Sequence, residues 1–331
     1  MVTAWFTLVV LCWVLFFVLE GFDFGVGLLA PVLGRDDHER GAVVRTVGPF
    51  WDGNEVWLVA AIGVTFAAFP DWYAALLSGL YLPMAALLLL LAARGVALEF
   101  RGKGDGPRWR RRCDTALAAS SAGIVLLWGA VLGVLTHGLA LGADGQVTGT
   151  GVGRSTAPLL SWPALAGAGA ALFAALLIGA TFLTLRTTGP VHLRARRLGG
   201  TLATGGAAVL VAAGVGADSR LVLAAAVLSF GIAMLIRSGQ EGLAFGGTAL
   251  SIAGAVVAVF TAHGEVVLRS TVDPAWSLTM TGAAATDSAL RLISVVGVVV
   301  LPGVVVYQAF SYWVFRRRVA SERVPSEGVA G

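Results

Sequence analysis

Charge is what this sequence has least of. Asp, Glu, Lys and Arg make up 13% of its 331 residues, about half the ~25% of an ordinary soluble domain. Hydrophobic residues reach 57% and the mean hydropathy is +0.84. That balance excludes a disordered chain and a single soluble globule. Cysteine is almost missing: Cys12 sits in the first apolar run and Cys113 in a basic loop, so no disulfide is expected between them. Histidine is scarce and badly placed for metal or haem chemistry. His38 and His192 fall in loops, and His137 and His263 at the ends of apolar runs. No opposed pair for a bis-histidine haem and no metal-ligand spacing is on offer, so no directly bound cofactor or metal is expected. No basic residue precedes Arg35, unlike the charged start of a cleaved leader, and the first apolar run is expected to stay as a helix. The short alternating segments of a β-barrel are absent too.

What is present is long apolar runs. A spanning helix needs about 20 mostly apolar residues, and the sequence divides into nine such runs, near 5–29, 51–69, 73–97, 116–140, 163–185, 198–217, 220–236, 243–262 and 290–315. The expected fold is an all-α polytopic membrane protein with no soluble domain. Asp218, Ser219 and Arg220 alone separate the sixth and seventh runs, but together these are too long for one span. The net charge of +4 points to loops facing the cytoplasm rather than to nucleic acid. Strongly basic loops alternate with weakly basic ones. Arg35, Arg40 and Arg45 lie in the first loop, Arg101 to Arg112 in the third, Arg186 to Arg197 in the fifth and Arg316 to Arg323 in the tail. The positive-inside bias then places the N-terminus outside and the C-terminus in the cytoplasm. Glycine is abundant, 44 residues, with Gly21/Gly25 and Gly129/Gly133 at the four-residue spacing that lets helix backbones approach closely.

The acids carry the functional signal. Further along, Asp144, Asp218, Glu241, Glu265, Asp273, Asp287, Glu322 and Glu327 all fall in loops or the tail. In the first hundred residues Glu20, Asp23, Asp52, Glu55 and Glu99, with Arg94 among them, lie inside or at the edge of spans. An ionisable group at membrane depth costs several kcal/mol unless paired or wet, and marks function by default. Glu20 lies about 22 Å along its helix from Trp5, in the inner third of the bilayer. Asp23 is one turn deeper on the same face. Asp52 and Glu55 open the second span from the cytoplasmic side, while Arg94 and Glu99 close the third. Neighbouring carboxylates cannot all ionise cheaply, so protons should be shared among them, and such a set can conduct protons inward. The competing reading is a salt-bridge set in which Arg94 neutralises Asp23 or Asp52. Trp57, a turn and a half inside the second span, is read by default as packing.

Several runs then resemble one family. Phe17-Val-Leu-Glu-Gly-Phe-Asp-Phe-Gly-Val-Gly27, Leu33-Gly-Arg-Asp-Asp37 with Glu39-Arg40, and Gly48-Pro-Phe-Trp-Asp-Gly-Asn-Glu-Val-Trp-Leu58 are similar to subunit II of the cytochrome bd quinol oxidases. Phe66-Ala-Ala-Phe-Pro70, Tyr73-Ala74, Ser78-Gly79, Arg94-Gly-Val-Ala97 and Glu99-Phe-Arg101 continue the match in order. It is strong over about the first 110 residues. The resemblance implies a bacterial plasma-membrane terminal oxidase that oxidises quinol and reduces dioxygen to water. Two haems b and one haem d would belong to the larger subunit I, this chain's partner, and a small single-helix accessory subunit is compatible with the family. The implied fold is two four-helix bundles, 1–140 and 163–262, plus a peripheral helix, 290–315. The implied role is a scaffold lining a cytoplasmic proton route, with Asp23, Asp52, Arg94, Glu99 and Lys103 on it, Glu20 at a position where an acid is frequent, and an oxygen passage beginning beside Trp57. Glu55 departs from the family pattern, where an amide can stand. The alternative from the residues alone is a proton-coupled secondary transporter, whose site would lie near the midplane between two repeats; a purely structural subunit would make each acid a salt bridge.

Overall fold

A computed structural model describes residues 1–104, 106–216, 218–315 and 317–321. Arg316, Glu322, Arg323 and Glu327 lie outside them. The chain is built of twelve α-helices among the described residues: α1 (Val2–Leu33), α2 (Asp37–Arg45), α3 (Trp51–Ala68), α4 (Pro70–Gly79), α5 (Tyr81–Phe100), α6 (Pro107–His137), α7 (Gly151–Thr156), α8 (Trp162–Arg186), α9 (Pro190–Gly216), α10 (Arg220–Arg237), α11 (Glu241–Thr261) and α12 (Asp287–Val314). Eight of them, α1, α5, α6 and α8 to α12, are long and apolar enough to cross a membrane. The ninth expected span is α3, whose polar opening turn, Asp52 to Glu55, lowers its hydropathy.

Three boundaries differ from the sequence reading. The expected span 73–97 is two helices, broken at Leu80. Pro83 has no N–H to offer the Gly79 carbonyl four residues back, and its ring clashes with that carbonyl. Helices α6 and α9 begin about eight or nine residues earlier than hydropathy indicates, because Arg-rich first turns remain helical while standing clear of the apolar layer. Between the sixth and seventh runs Asp218 takes a left-handed φ of 48°, and Ser219 caps α10 by accepting a hydrogen bond from the Val222 N–H. The two runs are therefore separate helices.

Helix α1 runs through the centre and packs against α3, α6, α8 and α11, with α6 and α8 also packed on each other. Close approach depends on glycine where α1 meets α8: a Cβ on Gly25 would overlap the Ala175 carbonyl and come within 2.8 Å of the Gly179 Cα. Gly129 and Gly133 admit α8 against α6 in the same way, whereas Gly21 has space beside it. Above this crossing Trp13, Phe16 and Trp128 meet edge to face at 5.0–5.9 Å between ring centres.

Helix α12 is peripheral. Its buried residues are Leu290 and Gln308, with Ser294 held by the Trp5 indole N–H at 3.2 Å. Pro302 lies inside the exposed stretch between them. Beyond α12, β4 (Val319–Ala320) pairs in parallel with β1 (Thr187–Thr188), returning the tail to the α8–α9 turn. At the opposite end of the bundle β2 (Val266–Leu268) and β3 (Leu278–Thr279) form a short antiparallel pair, tied to the end of α6 by Leu139 and Arg269.

Candidate functional site

Three helices bring charge into the interior. On α1, Glu20 and Asp23 share a face and are 0% and 1% exposed; Arg94 on α5 is 1% exposed. The Arg94 Nη1 lies 3.2 Å from Glu20 Oε2, and Nη2 lies 4.0 Å from Asp23 Oδ2. Neither contact is a directed hydrogen bond, since the three guanidinium nitrogens and both Glu20 oxygens have no aligned partner among the described residues. The attraction is Coulombic, strengthened by the low-dielectric surroundings. The Phe24 ring, its centre 4.7 Å from the guanidinium carbon, adds a cation–π contact.

Asp23 is oriented by α3. The Asn54 Nδ2 donates to Asp23 Oδ2 at 2.7 Å. The Asn54 Oδ1 accepts from Gln308 Nε2 at 2.8 Å and from the Tyr312 hydroxyl at 2.7 Å, both on α12. Two donors on one oxygen fix the amide so that its NH2 faces Asp23. Asp23 Oδ2 is therefore an acceptor, and Oδ1, buried and without a partner, is the oxygen at which a proton can sit. Glu55, next along α3 and half-buried, is close enough for its charge to interact with Glu20, Asp23 and Arg94.

Charge balance gives this group its chemistry. Two fully buried carboxyls share one guanidinium, so the trio is neutral only when it holds one proton. An unbalanced charge at this depth is strongly unfavourable. Neutrality at this depth thus requires one proton on the two carboxyls of Glu20 and Asp23.

The other expected site residues lie elsewhere. Asp52 is exposed, because two residues along a helix turn it about 200° from Asn54. Arg94 thus pairs with Glu20 and Asp23, not with Asp52. Glu99 and Lys103 form an exposed i,i+4 ion pair of 3.2 Å at the end of α5, outside the buried group. Trp57, one turn above Asn54, is 4% exposed with its indole N–H unpartnered. Asn54, Gln308 and Tyr312 were not singled out from the sequence, although an amide inside the apolar run 290–315 is itself a signal.

Comparison with known proteins bears on this arrangement. The family model described as cytochrome bd terminal oxidase subunit II matches residues 1–315. The chain is 35% identical to cytochrome bd ubiquinol oxidase subunit 2 of Bacillus subtilis, with 96% of each protein covered. It is 29% identical to cytochrome bd-I ubiquinol oxidase subunit 2 of Escherichia coli K12, covering 97% of this chain and 95% of that one. Among solved structures it is similar to a chain of the bd oxidase from Geobacillus thermodenitrificans, with a TM-score of 0.68 at 18% identity, over 95% of this chain and 96% of the other. That likeness concerns the fold.

Proposed function

The chain belongs to the cytochrome bd terminal oxidase subunit II family, and from that membership we propose that it is the haem-free subunit of its oxidase, supporting subunit I and lining the path by which cytoplasmic protons reach the site of dioxygen reduction. The observation that carries this reading is the buried Glu20–Asp23–Arg94 trio, one positive charge short of balance and joined to α3 and α12 through Asn54. Reducing dioxygen to water consumes protons. Drawn from the cytoplasm while quinol releases its own outside, they separate charge without a pump. In this scheme the exposed Asp52 and the Glu99–Lys103 pair stand at the mouth of the path and Glu55 partway in. Tyr312 and Gln308 fix the amide that holds Asp23. The orientation, with α2 and the tail facing the cytoplasm, rests on the basic residues gathered at that end. Trp57, in the apolar layer beyond Asn54, stands where an oxygen passage would begin. The transporter alternative does not fit the family.

The donor set of this chain does not fit an axial haem ligand. Both ring nitrogens of His192 are engaged, with the Thr184 carbonyl at 3.0 Å and Glu241 at 3.1 Å. The His263 Nε2 lies 2.9 Å from the Thr136 carbonyl. His38 is in α2 and His137 ends α6, so none projects into the bundle at mid-depth. In this reading the haems of the complex belong to subunit I.

The test is the Asp23→Asn complex. The amide oxygen still accepts from Asn54, so the fold is kept while the titrating oxygen is lost. Oxygen consumption with quinol should fall on the order of tenfold or more, in keeping with loss of a positioned proton carrier, while the haem absorption bands persist. Full turnover in assembled Asp23→Asn and Glu20→Gln complexes would remove the route from this chain.

A further inference from the structure

The end of the bundle that bears α2 holds a second charged group, about 10 Å along α5 from Arg94 and separate from the proton-route reading. Asp114 at the start of α6, its side chain 3% exposed, accepts from Arg101 Nε at 2.6 Å and from Arg40 Nε at 2.9 Å. Asp37 on α2 accepts from Arg101 Nη2 at 2.9 Å and from Arg110 Nη1 at 2.6 Å. Burial alone would raise the Asp37 carboxyl, but its bonds and charge contacts with Arg110 and Arg101 outweigh this and hold it below the ordinary range. Asp37 is therefore ionised at neutral pH, and both carboxyls are engaged by two guanidinium groups each.

Cationic capacity is left over. Arg45 makes no hydrogen bond or ion pair among the described residues, and Arg101 Nη1 takes no part in the bonds to either acid. These two groups converge. A Cβ on Gly41 would lie 3.3 Å from Arg101 Nη1 and 3.4 Å from Arg45 Nη1, so two guanidinium ends approach each other over a residue with no side chain to separate them. Beside them opens a cleft of about 420 Å³, whose walls include His38, Arg45, Arg101 and Arg110. The His38 Nδ1 is buried and lacks a partner among the described residues. Arg40, Arg45, Arg101 and Arg110 against Asp37 and Asp114 leave an excess of two positive charges. Like charges this close repel unless an anion lies between them.

We propose that this cleft binds a phosphate group, clasped between Arg45 and Arg101 over Gly41, with His38 and Arg110 at its sides. Guanidinium forks match the oxygens of a phosphate in pairs, and basic pockets at the ends of spans are where anionic headgroups are held. The phosphate can come from an anionic phospholipid of the surrounding leaflet or from solution. The cleft lies where α2 meets the end of α5 and the start of α6, two helices long and apolar enough to cross a membrane.

The experiment uses the assembled oxidase, delipidated in neutral detergent, with two probes. Phosphatidylglycerol retention is counted by native mass spectrometry, and inorganic phosphate binding is followed by line broadening in phosphorus NMR. Two variants accompany the native complex. Arg45→Gln removes an exposed charge that no other residue needs for folding, and Gly41→Leu fills the cleft while leaving every charge in place. Each variant should weaken the bound probe roughly tenfold or more, the effect of losing a charged hydrogen bond. Retention of phosphatidylglycerol that both variants abolish identifies the lipid as the source. Inorganic phosphate binding with the same losses, and no lipid retained, identifies the free anion. The proposal is overturned if neither probe binds the native complex, or if binding is unchanged in both variants.

Discussion

Removing Arg94 tests the charge balance of the buried trio directly. In an Arg94→Leu chain Glu20 and Asp23, both fully buried, lose their guanidinium and must together take up a second proton to stay neutral. Holding a carboxylic acid protonated at pH 7, against an ordinary value near 4, costs about 4 kcal/mol. The contact with the Phe24 ring goes as well, at about 1–2 kcal/mol. The loss is comparable to the 3–5 kcal/mol seen when a buried pair is broken, and large against a stability of about 5–15 kcal/mol. The expected result is little assembled complex, read as haem absorbance per milligram of membrane protein, and a lowered thermal midpoint in what is recovered. The sign with pH is definite. The cost of the added proton falls by about 1.4 kcal/mol per pH unit, so that part of the deficit should shrink to about 1–2 kcal/mol near pH 5 and grow above pH 7. A triple variant, Arg94→Leu with Glu20→Gln and Asp23→Asn, carries no buried charge and should regain most of the assembly, though not the turnover. An Arg94→Leu complex with native yield and no pH-dependent deficit would refute the reasoning.

Asn54→Leu removes the amide that orients Asp23 and leaves Gln308 and Tyr312 without their shared acceptor; it should cost about 1–3 kcal/mol of stability and slow oxygen consumption, as measured by thermal unfolding and an oxygen electrode. Gly25→Val forces α1 away from the Ala175 and Gly179 backbone and should lower stability by about 1–3 kcal/mol or more, whereas Gly63→Ala, with open space around it, should be neutral in the same thermal scan. Changing His38, His137, His192 and His263 to Ala should leave every haem band of the assembled complex in its absorption spectrum, and selective loss of one band would place a ligand on this chain.

Much of this architecture was legible because the bilayer imposes a simple rule, and long apolar runs give spans directly. The trio of Glu20, Asp23 and Arg94 was legible for a related reason, since charge at depth stands out against an apolar background. What was not legible depends on rotation and on distant partners. Hydropathy places Asp52 and Asn54 at the same depth, yet two residues of helix turn them to different faces, and only Asn54 reaches Asp23. Gln308 is 254 residues from Asn54, and nothing local to either announces the other. The break at Leu80 was hidden by a run that stays apolar across it, and its cause is the missing N–H of Pro83 rather than any change in polarity. Glu99 and Lys103 are close in sequence to Arg94, but the helix carries them out of the buried layer.

Helix α12 touches the rest of the chain mainly near its two ends, through Leu290 and Ser294 above and through Gln308 and Tyr312 below, with Pro302 between. Mechanically it is a strut fastened at both ends whose softest joint lies in the more exposed stretch between them, because the proline removes one rung of the helical ladder there. Bending of α12 under thickening or thinning of the bilayer, or under sideways pressure on exposed valines such as Val298, Val299 and Val306, is then expected at that joint. Gln308 and Tyr312, which hold the Asn54 carboxamide against Asp23, both lie on the far side of that joint from the upper fastening.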